Sequence, residues 1–206
     1  MKTALKLGPD VVMRLLPHRR PFLMIDNVEA YERGKRPTLW SSRHVSANEP
    51  VFEGHFPEMS VWPGVYTIEG MGQSTNVLAI LHFVELGMVE RGLAPDRLLE
   101  GLRNLELRTR FHPGYRPEVQ TELETIMKTA LPSPTSALGM SAAVDVKLLA
   151  PVFAGQRIDF TVSLTHAMDR LLRFEVRAEV DGREVARGVM KGAYGFEPRS
   201  AIATGD

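Results

Sequence analysis

The stretch VYTIEGMGQSTNVLAILHFVEL, residues 65–86, decides the fold of this chain. Its length corresponds to six turns of α-helix, about 33 Å at a rise of about 1.5 Å per residue. Apolar side chains fall nearly all round this helix: Val65, Ile68, Met71, Leu78, Ile80, Leu81, Phe83 and Val84. A helix that is apolar on every side is buried, so we predict that this segment forms the centre of the fold. Pro63 and Gly64 precede the segment, and Gly87 is predicted to end it.

The rest of the chain reads mainly as strands. Before the long helix, a short helix is predicted from Asp10 to Pro17, followed by strands at 22–25 and 38–45. After the long helix the hydrophobic period changes to two, and strands are predicted near 103–110, 119–128, 137–149, 157–166, 172–180 and 184–192. Asp181-Gly182 between the last two is typical of a hairpin turn. One long buried helix with antiparallel strands predicts an α+β fold in which the sheet wraps the helix.

Composition excludes several classes of protein. Lys and Arg together number 25, as do Asp and Glu, so the formal net charge is zero and a broad nucleic-acid surface is not expected. The absence of cysteine rules out disulfides, thiolate metal sites and a cysteine nucleophile. His44, His55 and Glu53 lack the spacing of a metal motif, so no metal site is predicted.

A membrane location is not expected. The beginning of the chain is basic but has no sustained apolar segment, so no signal peptide is predicted. The most apolar segment, 64–86, carries Glu69, Gln73 and Asn76, which makes it a poor membrane span. We therefore predict a cytoplasmic protein. Because a small sheet covers a fully apolar helix incompletely, self-association is also predicted.

Two residues are candidates for acid–base chemistry. His55 lies in the loop EPVFEGHFP, residues 49–57, where Gly54 and Pro57 restrict the backbone, and imidazole exchanges protons near neutral pH. Glu69 lies in the first turns of the apolar helix, where burial would raise its pKa and make it a general acid. The alternative for Glu69 is an exposed carboxylate stabilised by the helix dipole.

The start of the long helix is a candidate binding site for a polarised oxygen. Gly64 and Val65 follow Pro63, and the free N–H groups of a helix N-terminus attract negative charge. Gly64 also leaves room for a carbonyl group to approach. The alternative is that Pro63-Gly64 only marks the beginning of the helix.

Several motifs together resemble one known family. They are LPHRRPFLMID at 16–26, NEPVFEGHFP at 48–57, PGV at 63–65, IEGMGQ at 68–73 and PVFAGQ at 151–156. In this order, and with His55 and Glu69 separated by 14 positions, the chain resembles the 3-hydroxyacyl-ACP dehydratases of type II fatty-acid synthesis. The resemblance covers roughly residues 10–87 and 143–195. It implies the hot-dog fold, in which an antiparallel sheet wraps one long central helix.

The resemblance also implies a reaction and its residues. His55 would be the general base that removes the C2 proton of a (3R)-3-hydroxyacyl thioester, and Glu69 would protonate the departing 3-hydroxyl to give a trans-2-enoyl thioester. The amides of Gly64 and Val65 would polarise the thioester carbonyl, and Gln73 would orient Glu69. No cofactor is implied.

The resemblance further implies partners. The substrate would be carried on acyl carrier protein or CoA, in the synthesis of fatty acids, related lipids or polyketides. The site would form across a homodimer, alone or in a trimer of dimers. Glu rather than Asp at position 69 resembles the branch of the family that does not isomerise the double bond.

The chain also departs from the family pattern. Trp62 and Tyr66 are bulkier than the usual aliphatic residues, and Gly72 stands where alanine is expected. We predict one domain over 1–206, with a strand-rich insertion at about 91–142 and a tail at about 197–206 that is a candidate for disorder. Two alternative functions stay open: a hot-dog acyl thioesterase, and a non-catalytic acyl-binding or assembly subunit.

Overall fold

The long central helix dominates the structure, a computed structural model that describes residues 2–130, 139–168 and 171–194. The elements in chain order are β1 Lys2–Leu7, α1 Pro9–Leu15, β2 Asn27–Glu32, β3 Thr38–His44, a 3-10 helix Pro50–Glu53, β4 Val61–Trp62, α2 Gly64–Glu90, α3 Asp96–Thr109, α4 Pro117–Ala130, β5 Gly139–Leu148, β6 Val152–Phe153, β7 Arg157–Met168, β8 Leu171–Val180 and β9 Arg183–Tyr194. None of the helices in this part of the chain is long and apolar enough to cross a membrane.

Helix α2 confirms the predicted helix and its burial, but it ends later in the chain than predicted. It is 27 residues long, and most of its side chains between Thr67 and Met88 are buried. Gly87 lies inside the helix and is itself buried, so its prediction as the stop was wrong. The turn comes at Gly92, which follows the capping residue Arg91 and has a left-handed φ of 70°.

Seven strands form one antiparallel sheet in the order β1-β2-β3-β7-β8-β9-β5. Its central strands β7 and β8 pack against α2, and buried side chains such as Phe160, Phe174 and Val176 form the core with the helix. The hairpin turn at Asp181-Gly182 is confirmed, with φ values of 51° and 75°. The sheet wraps the helix, which is the hot-dog arrangement that the resemblance implies.

The described part of the insertion before residue 131 is helical, so its prediction as strand-rich was wrong. Residues 103–110 overlap α3, and residues 119–128 lie within α4. In α3 the buried apolar residues are Leu98, Leu99, Leu102 and Leu105, which recur at helical rather than alternating spacing. Leu123 and Ile126 bury one face of α4 in the same way. The short leucine and charged runs resemble alternation, although their three- and four-residue spacing fits a helix.

The N-terminal region also differs from the prediction. The segment 22–25 forms no strand, because its polar backbone groups bind side chains instead of a neighbouring strand. The sheet instead begins with β1, for which no strand was predicted. The short helix from Asp10 to Pro17 is confirmed as α1, although Gly8 rather than Asp10 is its N-cap.

The two helices of the insertion cover one edge of the sheet and one side of α2. Helix α3 packs on β1 and α1, while α4 packs on α2. Arg103 Nε donates to the carbonyl oxygen of Ala4 (2.9 Å), and the backbone N–H of Gly8 donates to Glu106 Oε2 (2.7 Å). Strand β5 at the opposite edge has exposed side chains along most of its length. The start of the predicted strand at 137–138 and the predicted tail at 197–206 lie outside the described residues.

Candidate active site

The ring of His55 is held in one orientation and one tautomer. The 3-10 helix Pro50–Glu53 leads into the loop, and the backbone N–H of His55 donates to the carbonyl oxygen of Val51 (2.9 Å). Nδ1 lies 2.8 Å from the carbonyl oxygen of Val61. A carbonyl oxygen can only accept, so Nδ1 carries the proton and Nε2 of the neutral ring keeps its lone pair. The ring stacks on Phe56 at 4.3 Å, across a cis peptide bond.

Glu69 is held by a fully buried amide. Gln73, one turn further along α2, donates from Nε2 to Glu69 Oε1 (2.9 Å) and to the carbonyl oxygen of Phe22 (2.7 Å). Its Oε1 accepts from the backbone N–H of Met24 (2.8 Å). Since these contacts fix which end of the amide donates, Glu69 Oε1 must accept. A proton on Glu69 would therefore sit on Oε2, which makes no hydrogen bond to any described residue.

The structure answers the question that the sequence left open about the burial of Glu69. Its side chain is 30% exposed, so a single chain does not bury it. His18 Nε2 lies 3.7 Å from Glu69 Oε1, and the side chain of His18 is 24% exposed. His18 is a residue of the site that the sequence analysis did not single out, although it lies in the LPHRR run that contributed to the resemblance.

An open pocket lies where the His55 loop meets the beginning of α2. Its volume is about 330 Å³, and its lining includes His55, Trp62, Gly64, Thr67 and Leu148. The first helical backbone bonds are donated by Tyr66 and Thr67 to the carbonyl oxygen of Pro63. The amides of Gly64 and Val65 precede these donors, as the first N–H groups of a helix do, and are available to a ligand. A Cβ on Gly64 would lie 2.3 Å from Leu148 Cδ1, so the space beside Gly64 is used by a flexible side chain.

His55 and Gly64 thus share one pocket, whereas Glu69 does not belong to its lining. Glu69 contacts His18 and Gln73 on another part of the α2 surface. Among the described residues, no three His, Asp or Glu side chains are grouped so that they could hold a metal ion. An imidazole, a carboxyl group and the backbone N–H groups of a helix start are the kinds of group that can move protons next to a polarised carbonyl.

Comparison with known proteins defines the class to which this fold and site belong. A model of the FabA-like domain family matches residues 16–148, well over half of the chain. Among solved structures, the dehydratase heterocomplex ApeI:P from Xenorhabdus doucetiae superposes with a TM-score of 0.53 and 19% identity, over 90% of this chain and 91% of that one. At that identity the likeness concerns the fold alone.

Curated relatives are similar to this chain in sequence as well. The 3-hydroxyacyl-[acyl-carrier-protein] dehydratase FabZ of Aeromonas hydrophila subsp. hydrophila is 54% identical over 74 residues, which are 35% of this chain and 48% of that protein. The FabZ of Nitratiruptor sp. is 39% identical over 114 residues, 54% of this chain and 74% of that protein. The chain spans about half the length of the first of these relatives. It belongs to the FabA-like, FabZ-related family of hot-dog proteins.

Proposed function

We propose that this protein dehydrates (3R)-3-hydroxyacyl thioesters to trans-2-enoyl thioesters. The observation that carries the proposal is the hydrogen bond from His55 Nδ1 to the Val61 carbonyl oxygen, which leaves Nε2 as the nitrogen that can accept a proton, in the same pocket as Gly64. The names of the curated relatives support acyl carrier protein as the carrier, and a CoA thioester presents the same reacting atoms. Synthesis of fatty acids, related lipids or polyketides would consume such a product.

In the proposed mechanism the thioester carbonyl accepts hydrogen bonds from the amides of Gly64 and Val65, which stabilise enolate character. His55 Nε2 removes the C2 proton, and the C2 electron pair forms the C2–C3 double bond as the C3–O bond breaks. Glu69 gives the proton on Oε2 to the departing hydroxyl, which leaves as water. Return of the C2 proton from His55 to Glu69 through solvent restores both groups.

We infer that a second copy of the chain completes the site, because Glu69 lies outside the pocket that holds His55. Strand β5 is an edge strand of the sheet that the described residues form, and the apolar side chains of Met140, Val144 and Leu148 on it are exposed. Pairing of two β5 edges would join two sheets, and an unpaired edge of this length commonly finds a partner. His55 of one chain would then face Glu69 of the other.

Hydration of crotonyl-CoA tests the proposed reaction, because loss of absorbance of the conjugated enoyl thioester reports the reverse step. We expect His55→Ala to lower the rate by about 10²- to 10⁴-fold, the usual contribution of a general base, and Glu69→Ala to do likewise. His166→Ala, at an exposed position of β7, is the control and keeps the wild-type rate. Release of free CoA would instead show a thioesterase. An active His55→Ala variant would refute the assigned mechanism.

Mixed dimers test the composite site. Coexpression of the His55→Ala and Glu69→Ala chains yields heterodimers in which one site has both residues and the other has neither. Random pairing therefore restores about a quarter of the wild-type activity if the two residues come from different chains of a symmetric dimer. If both residues act within one chain, no activity returns.

A further inference from the structure

The guanidinium of Arg43 contacts three separate segments around the candidate site. Arg43 lies near the end of β3, and its side chain is only 12% exposed. Nη1 donates to Asp26 Oδ1 (2.8 Å) and to the carbonyl oxygen of Leu23 (3.3 Å), and Nη2 donates to Glu49 Oε1. The guanidinium carbon lies 5.6 Å from the centre of the Trp62 ring, within the range of a cation–π contact.

One set of these contacts leads to Glu69. The segment 22–26 carries the two backbone groups that hold the amide of Gln73, the carbonyl of Phe22 and the N–H of Met24. Residues 23–26 form no strand, so single contacts hold this segment, among them the Arg43–Asp26 ion pair and the backbone bond from Asp26 N–H to the carbonyl oxygen of Ser42. Any shift of the segment would move Gln73, and Gln73 holds Glu69.

The other set of contacts leads to His55. Glu49 is the N-cap of the 3-10 helix from which the backbone of His55 is held. At the far end of the loop, Trp62 follows Val61, whose carbonyl oxygen accepts from the His55 ring. Arg43 therefore contacts the residue that begins the His55 loop and a residue next to the one that fixes its ring.

We propose that Arg43 is a positioning residue that holds both candidate catalytic groups, Glu69 through segment 22–26 and Gln73, and His55 through Glu49 and Trp62. The positioning role of Arg43 follows from its contacts, and only its expected effect on the reaction rate rests on the proposed function. The forked guanidinium binds two carboxylates at once, whereas a lysine ammonium is a single point charge on a flexible stem. Asp26 and Glu49 are 25% and 18% exposed, so solvent screens these ion pairs only partly.

NMR of ¹³C-labelled histidine side chains tests the assignment without relying on activity. His55 reports on one group, and His18, with Nε2 3.7 Å from Glu69 Oε1, reports on the other. In Arg43→Gln we expect both signals to shift while that of exposed His166 stays in place. Arg157→Gln is the matched control, because Arg157 pairs with Glu29 and Asp159 on the same sheet but touches neither segment.

Kinetics of crotonyl-CoA hydration supply the second readout. Arg43→Gln is expected to lower kcat by about 10- to 100-fold with a smaller change in KM, since misplacement of a reacting group affects the chemical step. Arg43→Lys, which keeps the charge, recovers part of the loss and serves as the test variant if Arg43→Gln does not fold.

Unchanged His55 and His18 signals in Arg43→Lys and Arg43→Gln, with wild-type kcat, would overturn the proposal. A shift of only one of the two signals would also overturn it, because a shared support moves both. If both signals shift although His55→Ala remains active, the positioning role stands and the proposed dehydratase mechanism fails.

Discussion

Glu85 is a carboxyl group buried in α2, far along the helix from Glu69. Its side chain accepts hydrogen bonds from Tyr31 Oη (2.8 Å) and Arg33 Nε (3.1 Å), and Arg33 also pairs with Asp96 at the start of α3. Burial raises the pKa of Glu85, while the hydrogen bond from Tyr31 and the charge of Arg33 oppose this rise. Burial also raises the pKa of Tyr31, which therefore stays a donor. Through Arg33 and Asp96, the buried Glu85 therefore links the insertion to the core.

The raised pKa of Glu85 predicts how stability depends on pH. Between the ordinary glutamate pKa of 4.5 and the higher pKa of the folded state, the folded chain holds a proton that the unfolded chain has lost. The contribution of Glu85 is therefore complete below the ordinary value and declines as pH rises through the pKa of the folded state. Glu85→Gln cannot titrate, so the difference in unfolding free energy, wild type minus variant, should fall as pH rises through this range.

Urea denaturation over a series of pH values checks this prediction. Glu100→Gln makes the same substitution at an exposed carboxylate that pairs with Arg116, and it is measured as the matched variant. A difference between wild type and Glu85→Gln that grows with pH would contradict the expected direction.

At the scale of the element, two glycines two positions apart in α2 have opposite environments. A Cβ on Gly70 would lie 2.6 Å from Phe160 Cζ and 3.0 Å from the carbonyl oxygen of Met24. A Cβ on Gly72 would meet only Met190 Cε at 3.4 Å, an ordinary contact distance. Gly70 therefore allows the sheet and segment 22–26 to approach the helix closely. Gly72 has no such close contact.

Alanine substitutions of the two glycines should shift stability in opposite directions. Gly70→Ala forces α2 away from the sheet and is expected to cost about 1–3 kcal/mol. Gly72→Ala gains helix propensity in a site with room, so it is expected to stabilise by up to about 1 kcal/mol. Chemical denaturation of the two variants provides the comparison. A Gly72→Ala protein less stable than Gly70→Ala would contradict the geometry.

At the scale of the whole molecule, the two edges of the sheet differ. The insertion covers β1, where the side chains of Arg103 and Glu106 bind backbone groups at the Ala4 and Gly8 positions. Strand β5 has no such cover among the described residues. Because an uncovered edge offers free backbone groups, we predict that self-association occurs at β5.

A charge on the open edge should prevent self-association. Val144, in the middle of β5, is 46% exposed, and Val144→Lys places a like charge on both copies at a paired edge. Light scattering after size-exclusion chromatography is expected to show a dimer or larger assembly for the wild type and a monomer for the variant. His166→Lys, on an interior strand of the sheet, is the control and should leave the assembly unchanged. A monomeric wild type would refute the composite site.

Local sequence signals are enough to predict the central helix and most of the sheet, and they select His55 and Glu69 as candidates for the site. These predictions depend on local signals: an apolar segment long enough for six turns, alternation in β7 to β9, and the Asp181-Gly182 turn. The site candidates also depend on the sequence motifs shared with the family, which occur in the family's order. The segments predicted as strands that form helices carry conflicting local signals. Segments 103–110 and 119–128 mix charged and apolar residues in short runs, and the choice between helix and strand there depends on what each face packs against.

How the site residues relate to one another depends on contacts that form only when the chain folds. The tautomer of His55 depends on the carbonyl of Val61, and the orientation of Gln73 depends on two backbone groups about 50 positions earlier in the chain. Arg43 and His18 could not be selected from the sequence, since their roles arise from contacts between segments that only folding brings together. The same holds for Glu69, which the sequence placed on a buried helix and the fold left partly exposed, because its position in α2 faces outward from a single chain.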